Sequence, residues 1–149
     1  MELQLDLPFP LEPEHAGQHA ELVVTAAAEI GDLHLDYSPA SLEEVDAVVE
    51  GFRHDGVSLQ ELAELLVGFG CYLGEVVRRE LGGFWQAEAE LNEEDREAAG
   101  WMVLAFSDDV WCNPIGRVFG RFMNGDEDYL PDFYECLLAE RRRNHDTGE

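Results

Sequence analysis

Lysine is absent from this 149-residue chain, so nine arginines are the only fixed cations against 33 Asp and Glu, a formal net charge of −24. The first 50 residues carry 12 acids and no cation at all. Gripping a phosphate backbone or an anionic membrane surface requires the opposite field, so direct nucleic-acid binding and membrane adsorption are disfavoured. A basic protein is the partner such a surface suits. An arginine-only chain rich in Ala, Gly and Val also fits a GC-rich coding background or adaptation to high salt. Charge alone therefore does not fix a function.

Other absences narrow the field further. No apolar run approaches the roughly 18 residues of a membrane span. The start, Met1 to Asp6, is acidic and has no basic segment leading into an apolar one, which predicts a cytoplasmic protein without a signal peptide. Cys71, Cys112 and Cys136 are odd in number and far apart, with no Cys-x-x-Cys pair, so reduced thiols are expected rather than disulfides or a thiolate zinc site. There is no internal repeat, phosphate-cradling glycine loop, H-E-x-x-H or nucleophile elbow. No catalytic constellation is complete, and neither a cofactor nor a metal is expected.

What is present is organised around residues 57–85. Ser58 and Glu61 form a capping box, with Val57 and Leu62 placed as a hydrophobic staple. Leu62, Leu65, Leu66, Phe69, Leu73, Val76 and Val77 recur at helical spacing, Arg78 and Arg79 suit the last turn, and Gly82-Gly83 supplies the stop. Gly68, Gly70 and Gly74 lie inside this helix, each costing about 1 kcal/mol against alanine. Gly70 and Gly74 share a face where another backbone could approach closely, which points to tight helix or sheet packing inside the domain ahead of a ligand slot.

Residues 1–13, with Pro8, Pro10 and Pro13, read as an extended acidic lead-in. A helix is expected over 14–30 and another over 41–52, the second opened by a Ser41/Glu44 capping box. Alternation at Leu33, Leu35 and Tyr37 suggests a short strand between them. His15 and His19 are four apart beside Glu12 and Glu21, but without a third ligand fixed by spacing they read as a solvated face. Residues 84–90, 101–106 and 110–112 read as strands, with a turn at Ser107-Asp108-Asp109 and a charged loop or single helical turn over 91–99. Asn113-Pro114 starts a further helix that Asn124-Gly125 ends. The acids at 126–128 lack calcium-loop spacing, and Asp128 is expected to cap the last helix, leaving 144–149 as a flexible tail.

Three stretches together resemble a family of small bacterial proteins of unknown function. They are Leu35-Asp36-Tyr37-Ser38 with Ser41-Leu42; Tyr72-Leu73-Gly74-Glu75-Val76-Val77-Arg78-Arg79 leading to Gly82-Gly83 and Trp85; and Asn113-Pro114 with Asn124-Gly125. The resemblance spans roughly residues 33–138. It implies no established activity and no catalytic residues. Some relatives look like domains of larger bacterial proteins, others like partner-neutralising proteins.

The expected fold is therefore α+β over residues 14–143, a single domain with three or four antiparallel strands packed on four or five helices. The expected function is that of an acidic interaction protein that engages a basic partner, in an immunity-like or nucleic-acid-mimic role. Glu21, Glu29, Glu43, Glu44, Asp46 and Glu50 would form its partner surface. The competing expectation is a small-ligand or enzymatic pocket built from Glu75, Tyr72, Arg78 and Trp85.

Overall fold

The central segment forms helix α3, Leu59–Leu81, in a computed structural model that describes residues 5–107 and 110–147. Its capping box is complete: the Ser58 hydroxyl accepts from the Glu61 N–H at 3.2 Å and the Glu61 carboxylate accepts from the Ser58 N–H at 3.4 Å. Every residue from Leu66 to Val77 is buried, so this helix of about 35 Å runs through the molecule with neighbours on all sides. Helix α1 (Ala16–Gly31) and helix α5 (Pro114–Asn124) flank it. Helix α2 (Ser41–His54) packs against α5 and against the last helix, α6 (Leu130–Thr147).

The glycines of α3 are contact points for three different elements. A Cβ at Gly68 would lie 2.3 Å from Val23 Cγ1 of α1, and one at Gly70 would lie 2.5 Å from the Ile115 Cα of α5. One at Gly74 would lie 2.2 Å from the Trp85 ring. Close packing inside the fold accounts for all three.

The sheet has three short antiparallel strands in the order β1-β2-β3: Phe84–Gln86, Val103–Ala105 and Trp111–Cys112. Trp85 pairs with Leu104, and Leu104 with Cys112. Between β1 and β2 lies helix α4, Glu93–Ala99, capped by the Asn92 side chain and ended by Gly100 at φ 71°. One core cluster joins α1, α2, α3, β2, α5 and α6, with a satellite of Leu91, Ala99 and Val103 beneath α4. The architecture is α+β, a single domain with six α-helices among the described residues, one more than expected because the charged stretch at 93–99 closes into α4.

Several local expectations are corrected. Leu33–Tyr37 joins no strand: Tyr37 takes a left-handed φ of 64°, and its N–H donates to the Tyr72 hydroxyl instead of a neighbouring strand. β1 ends at Gln86, and residues 88–90 turn as a 3-10 helix in which the Glu90 carboxylate accepts from the Ala87 N–H. Ser41 does not cap α2; it is buried, and its hydroxyl bonds the Ser38 carbonyl and the Tyr72 hydroxyl, each at 2.6 Å. Asp128 does not cap α6 but accepts from Arg117 and Asn124 in a short 3-10 turn. The cap comes from far away: the Leu130 N–H donates to Asp46 Oδ1 at 3.0 Å. His19 is buried, with Nε2 3.0 Å from the Pro10 carbonyl oxygen, so it leaves the solvated face expected of it. α6 extends to Thr147, so the tail expected from 144 is helical to that point. The turn residues Asp108 and Asp109 and the end at 148–149 lie outside the described residues.

Candidate functional site

Glu75 faces inward from the middle of α3 and is only 4% exposed. The guanidinium of Arg78, one turn on, grips it with two bonds of 2.9 Å, Nε to Oε2 and Nη2 to Oε1. The Trp85 indole N–H, brought over by the Gly82-Gly83 stop and β1, donates to Oε2 at 2.8 Å. Arg79 Nε stands 3.8 Å from Oε1. Burial pushes the Glu75 carboxyl upward, but the hydrogen bonds from Arg78 and Trp85 and the charges of Arg78 and Arg79 outweigh it. The net effect is a pKa below the ordinary glutamate value. A carboxylate held ionised, with both oxygens engaged, is a structural anion rather than a proton donor at neutral pH.

Of the four residues expected to share a pocket, the structure joins Glu75, Arg78 and Trp85. Tyr72 belongs to a neighbouring cluster. Its hydroxyl meets Ser41 and accepts from the Tyr37 N–H at 2.8 Å, and its ring lies 4.7 Å from that of Tyr37. Arg79 links the two groups, its guanidinium 3.6 Å over the Tyr37 ring while the Tyr37 hydroxyl donates to Glu21 at 2.6 Å. None of the four described cavities is lined by Glu75, Tyr72, Arg78 or Trp85.

If Glu75 is structural, Glu75→Gln lowers stability by about 1.5–3 kcal/mol, the range for hydrogen bonds to charged groups. The depressed pKa gives this contribution a sign. It is whole above the ordinary glutamate value and is lost as pH falls through the lower folded value. Thermal denaturation from pH 7 down to about 3 is expected to show a wild-type advantage that shrinks with acid; a constant gap between the two proteins contradicts this role.

The partner surface divides in two. Glu21, Glu29, Glu43 and Glu44 are exposed. Asp46 is buried at 5% and Glu50 is half-buried, because both face Arg121 of α5, itself 2% exposed. Arg121 donates to Asp46 Oδ1 and Oδ2 at 2.8 and 3.1 Å and to Glu50 Oε1 at 2.9 Å. Asp46 is therefore corrected from a surface residue to the centre of an internal ion cluster. The sequence held a signal of this: Asp46 falls within the apolar stripe of Leu42, Val45 and Val49, just as Arg121 falls between Val118 and Phe122.

Cys71 and Cys112 are inert candidates. Burial pushes both thiols up to about 12, aided at Cys71 by the charge of Glu75. Glu12, Glu14 and His15 offer ligand atoms within 4.8 Å of one another on an exposed turn. The positive end of the α1 dipole adjoins them and opposes a cation, and we assign no metal there. Among the described residues no helix is long and apolar enough to cross a membrane.

The fold and its polar clusters thus define an acidic α+β protein whose arginines largely face its own carbonyls and carboxylates. Compared with family models, curated proteins and solved structures, the chain matches none. The family resemblance rests on its three motifs alone.

Proposed function

We propose that this is an interaction protein whose acidic surface engages a basic protein partner, in an immunity-like or nucleic-acid-mimic manner. The observation that carries the reading is the placement of its few cations. Arg53, Arg78, Arg79, Arg117 and Arg121 all pair with the protein's own acids, chiefly Asp46, Glu50, Glu75 and Asp128. Arg96 and Arg141 donate to main-chain carbonyls. The exposed acids on α1 and α2 keep their field, and such a field raises association rate more than it deepens affinity. A ligand site at Glu75, the competing reading, would have to displace Arg78 or Trp85 from a satisfied carboxylate.

The test is capture from the source cell's lysate at low and then moderate salt, using the native chain and a variant with Glu21, Glu29, Glu43 and Glu44 all changed to Gln. Gln keeps an acceptor for Tyr37, so the fold is preserved. The reading expects one basic protein retained by the native chain at moderate salt. Association of that protein with the variant should be about 3–10-fold slower at low salt, the difference fading as salt rises. An unchanged on-rate, or recovery of only diffuse salt-labile basic proteins, overturns it.

A further inference from the structure

On helix α6, Leu137, Glu140 and Arg141 are spaced i, i+3 and i+4 and so share one face. That face looks across a groove of about 290 Å³ to the end of α3 and to Phe106, Val110 and Trp111 beside β2 and β3. The body of the groove is apolar, formed by Leu81, Phe106, Val110, Trp111 and Leu137. Gly83 completes the wall at φ 106°, where a Cβ would sit 3.1 Å from the Phe106 ring.

Among the described residues the rim carries one charge of each sign. Glu140 is exposed and makes no hydrogen bond or ion pair among the described residues. Arg141 anchors Nη1 on the Leu81 carbonyl, which positions the guanidinium, and its other N–H groups make no bond among the described residues. We infer that this groove binds a small zwitterion with an apolar body, of the size and chemistry of a free aromatic or branched-chain α-amino acid. The ligand's carboxylate would meet Arg141, its ammonium Glu140, and its side chain the Phe106 and Trp111 rings.

Three considerations select this class. The volume sits at the small end for ligand pockets and suits one amino-acid-sized molecule. Among the described residues the walls offer two aromatic rings and aliphatic side chains, and the only charged side chains are the rim pair Glu140 and Arg141, so the ligand's charged groups belong at one end. An apolar anion would use Arg141 alone and would approach against a net charge of −24, whereas a zwitterion meets no net repulsion and engages both rim charges. This inference is independent of the basic-partner reading, because the groove uses none of the α1 and α2 acids.

The experiment is an NMR titration of the isotope-labelled full chain, reading the Trp111 indole N–H against those of Trp85 and Trp101. The probes are L-tryptophan, L-phenylalanine and L-leucine, with tryptamine, indole-3-propionate and N-acetyl-tryptophanamide as controls. At least one free amino acid is expected to shift Trp111 selectively with a Kd in the millimolar range or tighter, each indole control binding at least about tenfold more weakly than L-tryptophan. Glu140→Gln should reduce L-tryptophan binding about tenfold while leaving indole-3-propionate unchanged or improved. No shift at Trp111 by about 10 mM of any amino acid overturns the site. Equal binding of tryptamine overturns the zwitterion in favour of a simple cation. Equal binding of N-acetyl-tryptophanamide overturns it in favour of a side chain presented by a partner protein.

Discussion

Asp46→Ala is expected to lower the unfolding free energy by about 3–5 kcal/mol, measured by urea denaturation at pH 7. The substitution leaves the Arg121 guanidinium, 2% exposed, facing only the half-buried Glu50 and the exposed Asp126. It also removes the acceptor of the Leu130 N–H at the start of α6. Removing one partner of a buried pair is far costlier than removing both, since a lone buried charge cannot recover its hydration. The double variant Asp46→Leu, Arg121→Met should therefore be markedly more stable than Asp46→Ala. If the single variant loses less than about 1 kcal/mol, the pair is not holding α2, α5 and α6 together.

Gly70→Ala is the second large loss, expected at about 3 kcal/mol or more despite a gain of about 1 kcal/mol in helix propensity. The added methyl would meet main chain, at 2.5 Å from the Ile115 Cα, with Cγ1 and Cβ of the same residue at 2.8 and 3.0 Å. A side chain can rotate away from such a contact, but a helix backbone must translate, and α5 carries Arg121 with it. Gly51→Ala in α2 provides the signed control: nothing lies within 4 Å of its added Cβ, so the same change should stabilise by about 1 kcal/mol. Equal effects at the two positions would refute the packing argument.

The elements with local punctuation were legible in the sequence. Ser58 with Glu61, Gly82-Gly83 and Asn113-Pro114 each fix a helix end by contacts within a few residues, and each stands where its spacing placed it. Failures occurred where a distant group outbid the local one. Ser41 had Glu44 three residues away but bonds Tyr72, and Asp128 was well placed to cap α6, yet the cap is Asp46. Tyr37 alternates like a strand residue, but the hydroxyl of Tyr72 takes its N–H. At the candidate site, the Glu75–Arg78 pair was readable as i, i+3 neighbours on a helix. Trp85 was readable only as a nearby aromatic, because its bond to Glu75 depends on the chain reversal at Gly82-Gly83. The partition of the six acids into exposed and buried depends on Arg121. Both Asp46 and Arg121 stand in apolar stripes, which marks them as inward-facing, but their pairing across 75 residues has no local signal.

The cap on α6 has a consequence for how the chain comes into being. Asp46 leaves the ribosome long before its two partners, which follow 75 and 84 residues later. At about 5–20 residues per second, those intervals are on the order of 4–17 s. Throughout it, the α2 carboxylate destined for the interior stays hydrated, and α2 lacks the element that will cover it. Burying it becomes favourable once α5 delivers its guanidinium, and the Leu130 N–H that it caps is synthesised later still. The closing of the core is thus timed by the synthesis of its last third, and any shortened chain that stops before Arg121 would keep Asp46 in water.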